Sequence, residues 1–594
     1  MYALWSGPTK EVSVIDRHEL ACIFNEIGIL LELKGENPFK IRAYYNAART
    51  LENLQEDLEV LIRENRLRET PGFGAAIAGK ILEWWKTGSI EYYENLKATT
   101  PGGLMELLRI PGLGPKKVAA LYSALGITDL AMLEAACVEN KLLTIPGFGR
   151  KTQEKICAGI QFLRQQQGAF LWTEGMGWAL RIREALVGRA GIERIEIAGS
   201  LRRYQPVCKD LALVVATGTP QAATAYLGHA DFHRSLEAAV ESLNAVGDGR
   251  SWLRLNNGLK VDFMVVAPEA LPHAVQYLTG SKEHNAALRR LAQGMGYKLT
   301  AEGLFKDGQR MFCRDEEELY HRLGLAYIPP ELRENLGEIE AAAGQSLPRL
   351  VEAQDLKGLF HVHTTYSDGV NTLRELVEAA LNKGYTYLGV ADHSRAAVYA
   401  HGLNEEALRR QFAEIDQLNQ EYRGFKIFKG IEADILSSGE LDYDPEILAK
   451  FDFVIGSVHS HFGMAKEEMT NRLLKAMDNP YLTMLGHPTG RILLERPAYA
   501  VDLHAVLAKA AEKGIIIEFN ASPYRLDLDW RWCRQAKELG GKITINPDAH
   551  SISELELARS GAMFARKGWL EKDDVFNTKS AQEIEEYFQA RASH

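Results

Sequence analysis

The stretch GLFHVHTTYSDG, residues 358–369, joins a short apolar run to two histidines and an aspartate. The apolar residues are typical of a buried strand, and His361, His363 and Asp368 stand at its end or just beyond it. Residues two apart project from the same face of a regular strand, so both histidines are expected to face one site. Imidazole and carboxylate groups in one site are ligands for a divalent metal. The stretch therefore predicts a strand that ends in a metal site.

Six further apolar stretches follow it, separated by segments with helical spacing. They are YTYLGVADHS (385–394), KIFKGIEADI (426–435), FDFVIGSVHS (451–460), YLTMLGHP (481–488), GIIIEFNAS (514–522) and KITINPDAH (542–550). This alternation predicts a parallel sheet closed into a β/α barrel, in which the carboxyl ends of the strands converge on one rim. The donors added at those ends are His393, Glu432, His459, His487, Asp548 and His550. Because unpaired burial of so many polar groups is costly, their convergence predicts bound metal.

The region from residue 357 to 594 resembles the PHP (polymerase and histidinol phosphatase) domain, since the motifs HxHxxxxD, DH, E, H, HP and DxH occur in order. The resemblance implies a distorted (β/α)7 barrel that hydrolyses phosphate esters with three divalent metals, zinc or manganese or else iron. It implies three ligand sets: His361, His363, Glu432 and Asp548; Glu432 as a bridge to His459 and His487; and Asp368, His393 and His550. His401, His461 and Arg491 are further candidates for contact with substrate phosphate.

The middle of the chain carries a second pattern. In IEIAGSLRR, residues 195–203, a strand runs into Gly199 and Ser200 and then an arginine pair. Backbone N–H groups, the serine hydroxyl and Arg203 can hold a triphosphate there. Two later strands carry Asp210 and Asp262, and carboxylates on adjacent strands can hold two Mg²⁺ about 4 Å apart for nucleotidyl transfer.

These segments, with QYLTGSKEHNAALRRLAQGMGYKLTAEGLF at 276–305, resemble family X DNA polymerases. The resemblance implies a nucleotidyltransferase palm that uses magnesium or manganese. It also implies contacts from Tyr277, Gly280 and Asn285 to an incoming deoxynucleoside triphosphate.

One position departs from the family pattern Gly-Asp-x-Asp, since this chain has Lys209, Asp210, Leu211 and Ala212. The family's second aspartate bridges both metals, and an alanine methyl group has no lone pair to offer. We expect polymerase activity to be weak or lost, because two-metal stabilisation contributes several kcal/mol. Lys209 is expected to place an ammonium group near the missing carboxylate and to disfavour Mg²⁺ further.

The N-terminal part repeats one pattern three times, at residues 67–85, 107–125 and 142–160. Each copy has an apolar helical end, Pro-Gly-x-Gly and a new helix, which is typical of a helix-hairpin-helix motif. The unpaired N–H groups that begin the second helix bind phosphate without reading DNA sequence. The six candidate DNA-binding glycines are Gly72, Gly74, Gly112, Gly114, Gly147 and Gly149.

Lys80 follows the first of these hairpins. The segment NPFKIRAYYNAARTL (37–51) and the hairpins resemble the lyase and fingers regions of family X polymerases, whose lyase lysine falls on Lys80. It is then a candidate catalytic residue that forms a Schiff base with an abasic site. A plain phosphate contact is the alternative for this residue.

The whole chain has 594 residues and a formal net charge of −10, so it is multidomain and has no overall basic surface. We expect six segments, namely a lyase-like helical domain at 1–95, a fingers-like domain at 96–170, the palm at 171–268, a thumb at 269–335, a linker at 336–356 and the barrel at 357–594. The six cysteines are far apart, no long apolar run occurs and no signal peptide is recognisable, which favours a cytoplasmic monomer away from membranes.

Three functions are compatible with these patterns. The first is a DNA repair protein that acts on gapped or primer–template DNA, with a 3′→5′ exonuclease in the barrel and a weak palm. The second is a fully active gap-filling polymerase that the barrel proofreads. The third is a small-molecule phosphatase of the histidinol phosphate type, against which the three DNA-gripping hairpins argue.

Overall fold

The computed structural model describes residues 17–52, 54, 56, 58–110, 112–236, 240–246 and 249–592. The predicted start of the first domain and Pro111 of the second hairpin lie outside this set. The chain divides into two compact units, residues 1–167 and 168–594.

The described part of the first unit is helical, as its repeats predict. Its α-helices are α1 (Arg17–Leu33), α2 (Pro38–Glu52), α3 (Leu58–Arg63), α4 (Ala75–Thr87), α5 (Glu91–Ala98), α6 (Gly103–Leu107), α7 (Pro115–Leu125), α8 (Leu130–Val138) and α9 (Arg150–Gln166). One hydrophobic core joins α1 to α5 and a second joins α6 to α9. In the described part of the chain no single helix is long and apolar enough to cross a membrane; α7 and α8, bent by 72°, meet that criterion only as a pair.

The second unit begins with the predicted palm. Its strands are β1 (Phe170–Leu171), β2 (Ile192–Ala198), β3 (Val207–Cys208), β4 (Asp210–Thr217), β5 (Val240–Val246), β6 (Arg250–Leu255) and β7 (Lys260–Val266), and its helices are α10 (Trp172–Leu186), α11 (Gly199–Arg202), α12 (Pro220–Leu227) and α13 (Ala230–Ser235). The five-stranded sheet has the order β2-β4-β7-β6-β5, with β4 parallel to β7. Strands β6 and β7 are joined by a short turn, and β7 carries Asp262 as predicted.

A small α+β region follows the palm. It contains α14 (Leu271–Thr279), α15 (Lys282–Gly294), β8 (Tyr297–Leu299), β9 (Leu304–Lys306), β10 (Gln309–Met311), α16 (Glu316–Arg322) and α17 (Glu338–Ala343). Helix α17 lies in the segment expected to be a linker, yet Ile339 and Ala342 pack into the core of this region. Glu338 is fully buried there and bonds His284. The segment 336–356 is therefore packed against its neighbours, a state that its polar sequence did not reveal.

The C-terminal region forms the predicted barrel of seven parallel strands in sequence order. These are β11 (Gly358–Val362), β12 (Tyr387–Val390), β13 (Lys426–Asp434), β14 (Phe453–Ser457), β15 (Met484–Leu485), β16 (Ile516–Asn520) and β17 (Ile543–Asn546), and the helices are α18 (Leu373–Asn382), α19 (Glu405–Glu421), α20 (Pro445–Leu448), α21 (Lys466–Ala476), α22 (Leu503–Lys513), α23 (Trp530–Glu538), α24 (Leu557–Ala565) and α25 (Ala581–Ala592). A parallel bridge between Val362 and Ala549 brings the first and last strands together. The strands are buried throughout except at Lys426 and Lys429 of β13, which are half-buried, and such burial is typical of a parallel sheet covered by helices.

Candidate functional site

All nine predicted donors of the barrel meet at the carboxyl ends of its strands. Their ligand atoms fall into four overlapping groups, each within 4.8 Å: His363, Asp368, His393 and His550; His361, His363 and Asp548; His361, Glu432 and His487; and His393, Glu432 and His459. The set expected from the family, Glu432 with His459 and His487, is thus split between two groups, which also contain His361 and His393. Because four residues belong to two groups each, the cluster is one continuous site.

The backbone at the cluster departs from regular strand geometry. His361, His487 and Asp548 have φ values of 58°, 21° and 53°, a region that non-glycine residues rarely adopt. The β11–β12 register shifts between Leu359 and Val362, so simple alternation does not explain why His361 and His363 share the site. The prediction that both face the site is met, but its reason was wrong. Local strain of this kind is found mostly at functional sites.

Two carboxylates that sequence reasoning missed orient the imidazoles. Glu518 Oε1 accepts from His361 Nδ1 at 2.6 Å, and Glu518 Oε2 accepts from the His487 backbone N–H at 2.6 Å. Asp434 Oδ1 accepts from His459 Nδ1 at 2.5 Å. Carboxylates behind metal-ligating histidines fix the tautomer that turns the other ring nitrogen toward a metal. Glu518 sits within β16, the strand for which the sequence predicted no ligand.

The donor set fits divalent metal ions. His361 Nε2, His363 Nδ1, His393 Nδ1 and Glu432 Oε2 are buried without a hydrogen-bond partner. Burial alone would raise the pKa of Glu432, but His459 and His361 beside it hold that pKa well below its usual range. Burial and the neighbouring His550 and His393 lower the pKa of His363 to about 3. Burial opposes protonation of His361, His459 and His550 as well, but the nearby carboxylates raise the pKa of each of these three imidazoles. Metal binds neutral imidazole and ionised carboxylate, so a cation competes with protons at this cluster.

The other barrel candidates differ in their surroundings. Asp392, which directly precedes the donor His393, accepts from the Thr364 backbone N–H and hydroxyl at 2.8 Å. The guanidinium of Arg491 donates to the carbonyls of Arg525 and Leu526 and to Asp529, so it braces a loop instead of offering itself to phosphate. His401 and His461 both have positive φ and lie on surface loops.

The palm candidates line a second site. A cavity of about 830 Å³ is bounded by all of them, namely Gly199, Ser200, Arg203, Asp210, Asp262, Tyr277, Gly280 and Asn285, together with Ala212. The strand register sets Ala212 beside Asp262 and Asp210 beside Lys260. Partial desolvation and the carboxylate of Asp262 raise the pKa of Asp210. The structure thus assembles the predicted pocket and leaves a methyl group where the third carboxylate is expected.

A lysine that the sequence reasoning overlooked neutralises one of the two acids. Lys260 Nζ lies 2.7 Å from Asp262 Oδ1. Lys260, rather than Lys209, lines the cavity, so the ammonium group near the missing carboxylate comes from a different strand than expected. Five cationic side chains line the cavity against two carboxylates: Arg203, Arg250, Lys260, Lys282 and Arg289. The pocket is therefore suited to a polyanion more than to a pair of cations.

The barrel touches the rear of this pocket through one buried lysine. Lys567 is fully buried and donates to Glu334 Oε1 at 2.8 Å and to the Arg203 carbonyl at 2.8 Å. Arg203 Nε also lies 3.0 Å from Glu334 Oε1. Glu334 therefore joins a side chain of the palm pocket to the barrel domain.

The three hairpins have one geometry. Gly72, Gly112 and Gly147 have φ values of 94°, 85° and 88°, where a side chain would be strained. The second glycine of each copy, at 74, 114 and 149, is the N-cap of α4, α7 and α9. Three equivalent helix N-termini thus begin directly after a turn, as phosphate binding requires.

Lys80 lies on α4, half-buried, with its ammonium 4.7 Å from the centre of the Tyr92 ring. Burial lowers its pKa, and the nearby Lys40 acts in the same direction. A lowered pKa increases the fraction of free amine that can attack a carbonyl.

Four segments match known families: a helix-hairpin-helix domain at 15–90, a SAM-like helix-hairpin-helix tandem at 104–161, the DNA polymerase beta thumb at 274–334 and the PHP domain at 360–522. The chain is 36% identical over 580 residues to "DNA polymerase/3′-5′ exonuclease PolX" of Bacillus subtilis, covering 96% of this chain and 99% of that protein. A "probable phosphatase" of Thermoanaerobacter sp. is 28% identical over 242 residues, covering 39% of this chain and 94% of that protein. A crystal structure of Leishmania infantum polymerase beta in a ternary complex is 26% identical over 39% of this chain and 98% of that chain, with a TM-score of 0.26 that adds nothing to the assignment.

Proposed function

The chain belongs to the PolX family of DNA polymerase/3′→5′ exonucleases with a C-terminal PHP domain, and on this premise we propose a division of labour between its two sites. The barrel removes nucleotides from DNA 3′ ends, and the palm holds nucleotide and primer but extends poorly. One observation carries the first half, namely the convergence of nine donors with unpartnered buried ring nitrogens at the barrel rim. One residue carries the second half, Ala212 beside Asp262.

The chain uses divalent metals, and we propose three in the barrel, zinc or manganese or else iron. The ligands would be the nine donors in their four overlapping groups. Bound metals supply charge neutralisation at phosphorus and acidify water. The protein's own part is to keep Glu432 ionised and to hold the imidazole rings in place through Glu518 and Asp434.

We propose that the palm is a nucleotide-binding site that lacks one metal ligand. Gly199, Ser200 and Arg203 would bind the triphosphate, and Tyr277, Gly280 and Asn285 would contact the nucleotide. Asp210 and Asp262 would hold magnesium or manganese only weakly, since Lys260 already neutralises Asp262. The predicted nucleotide-binding residues all line the pocket, which favours retained nucleotide binding with slow nucleotidyl transfer.

The helix-hairpin-helix and polymerase-like regions bind DNA. We propose that the substrate is gapped or primer–template DNA gripped through the six hairpin glycines without sequence preference. We propose the domain limits 1–95, 96–170, 171–268, 269–335, 336–356 and 357–594, and a monomer that works in the cytoplasm. All six cysteines are free thiols, which supports a reducing compartment.

A lyase step at Lys80 is a further proposed activity of the N-terminal unit. Its support is the lowered pKa of a half-buried amine on the helix that follows the first hairpin. Borohydride should trap a covalent adduct between the protein and abasic-site DNA. Lys80→Ala should abolish trapping, whereas Lys86→Ala, a change on the same helix, should leave it intact. Equal trapping by all three proteins would make Lys80 a plain phosphate contact.

One incubation tests the division of labour. A 5′-labelled primer–template is mixed with Mn²⁺ and the full-length protein, with and without nucleotides. We expect shortening of the primer in both cases and little lengthening, and His361→Ala should stop the shortening. Vigorous lengthening would contradict the weak palm. Hydrolysis of histidinol phosphate without any action on DNA would favour the phosphatase alternative.

A further inference from the structure

Exposed apolar residues of the barrel collect around the metal cluster. In the described part of the barrel domain, five large hydrophobic side chains are exposed: Val370, Leu381, Val398, Tyr399 and Tyr524. Four of them lie on loops that follow the strands β11, β12 and β16, while Leu381 lies near the end of α18, toward the opposite rim. A local concentration of exposed apolar residues marks a binding surface more often than chance. The four exposed apolar residues on these loops also lie at the rim of the barrel that carries the nine donors.

Tyr399 stands over the cluster itself. Its side chain is 69% exposed, yet the ring centre is 6.1 Å from that of His393 and 6.4 Å from that of His459. The outward face of the ring is left open to solvent.

Tyr524 lies on the loop after β16 and is 58% exposed. Its carbonyl accepts from the Leu493 N–H at 2.6 Å, and the carbonyl of the next residue, Arg525, accepts from Arg491 Nε at 2.9 Å. The backbone that carries the Tyr524 ring is thus held in place by the segment 491–493. Arg525 Nε lies 3.7 Å from Asp548 Oδ2, directly beside the metal ligands.

Tyr399, Tyr524 and Arg525 together can contact the base and the phosphate of a nucleotide. A phosphodiester that reaches the cluster carries a negative charge for Arg525, and its bases must lie close to the rim where the two tyrosines are exposed. Base–aromatic stacking tolerates any sequence and is the usual means of holding single-stranded nucleic acid. A small phosphomonoester would need neither ring, and a protein partner would gain nothing from the adjacent metal ligands.

We propose that Tyr399 and Tyr524 stack on bases at the end of a single-stranded DNA segment while Arg525 contacts its phosphate. These rim residues then set the preference of the barrel for nucleic acid over small phosphodiesters. The proposal rests on the proposed nuclease function of the same site and adds to it the groups that recognise the substrate.

The test compares two substrates on the Mn²⁺-loaded full-length protein. One is a labelled single-stranded oligonucleotide, and the other is methyl 4-nitrophenyl phosphate, a diester without a base. For Tyr399→Ala and for Tyr524→Ala we expect the ratio of the two kcat/KM values to fall by about 5- to 100-fold, through a higher KM for the oligonucleotide. Tyr399→Phe and Tyr524→Phe should restore the ratio because they keep the ring.

Leu381→Ala is the matched control, since it removes an exposed apolar side chain of the same domain away from the ligand rim. It should leave both activities at the wild-type level. An unchanged ratio in both tyrosine variants, or failure of the phenylalanine variants to restore it, would overturn the stacking proposal while leaving the nuclease in place. A wild-type protein that cleaves the small diester but not the oligonucleotide would instead overturn the nuclease function.

Discussion

The palm and the barrel each contain a candidate metal site, and the two sites differ in how deeply their carboxylate ligands are buried. Glu432 in the barrel is 1% exposed and lies within 4 Å of five histidines, whereas Asp262 in the palm is 36% exposed and contacts one lysine. Loss of one buried ligand leaves its partners uncompensated, at a cost of several kcal/mol. Loss of a ligand at an open pocket costs the fold little.

This difference shows why one site can lose chemistry while its fold persists. Ala212 lies in β4, whose neighbours Leu211 and Leu213 are fully buried in the palm core. That core does not depend on the side chain that faces the pocket. In the barrel the ligands His361, His363, His393, Glu432 and His487 are themselves buried, so the fold and the chemistry rest on the same residues. Fold and function are thus separable in the palm and coupled in the barrel.

The sharpest test of this contrast is Glu432→Gln. Glu432 belongs to two of the four donor groups, so its change weakens both. We expect exonuclease activity to fall about 1,000-fold or more, because each 1.4 kcal/mol of lost transition-state stabilisation is a factor of ten. Gel assays of primer shortening measure the loss. Glu446→Gln, on the exposed surface of α20, should behave as wild type, and a Glu432→Gln protein that still digests DNA would remove the barrel as the nuclease.

The second test restores the palm with Ala212→Asp. The new carboxylate would lie beside Asp262 in the register of β4 and β7. We expect the rate of primer extension to rise about 100-fold with Mn²⁺, since two-metal stabilisation contributes several kcal/mol. Ala212→Asn has the same shape without the charge and should give a much smaller gain. If extension stays at the wild-type level, the missing aspartate is not what limits the palm.

The sequence predicted the parts of this contrast that depend on residue type and spacing. The nine donors stand at strand ends, so their convergence on one rim followed from the barrel fold. The three glycine hairpins share one sequence pattern, so their common geometry followed from that pattern. Glu518 was missed because it lies inside an apolar strand and acts through His361. The irregular backbone at His361 was missed because local strain has no sequence signal. Lys260 was missed although its spacing of two residues from Asp262 on β7 already places both side chains on one face of that strand.

Glu518→Gln measures how far the barrel depends on such indirect support. The amide keeps the shape but weakens the acceptor for His361 Nδ1, which is held at 2.6 Å. We expect the Mn²⁺ concentration for half-maximal exonuclease activity to rise about 10- to 100-fold, with activity largely recovered at saturating metal. A loss of activity that metal cannot restore would mean that Glu518 acts on the reaction itself. An unchanged titration would mean that the cluster is positioned without it.

The smallest expected effect concerns the contact between the two centres. Lys567 shares Glu334 Oε1 with Arg203, so its removal leaves that carboxylate to hold the Arg203 guanidinium more tightly. With Lys567→Met we expect the nucleotide affinity of the palm, measured by titration calorimetry, to fall about fivefold, the effect of roughly 1 kcal/mol. Lys572→Met, an exposed change in the same part of the barrel domain, is the control.

The exonuclease activity of the Lys567→Met protein decides what the contact means. If it stays at the wild-type level while nucleotide affinity falls, Lys567 acts on the palm through Glu334 alone. An equal loss in both assays would show that the lysine supports the whole second unit, since Lys567 also lies 4.6 Å from the centre of the Trp530 ring in the barrel domain. Unchanged affinity would mean that the palm pocket and the barrel are energetically independent despite the shared carboxylate.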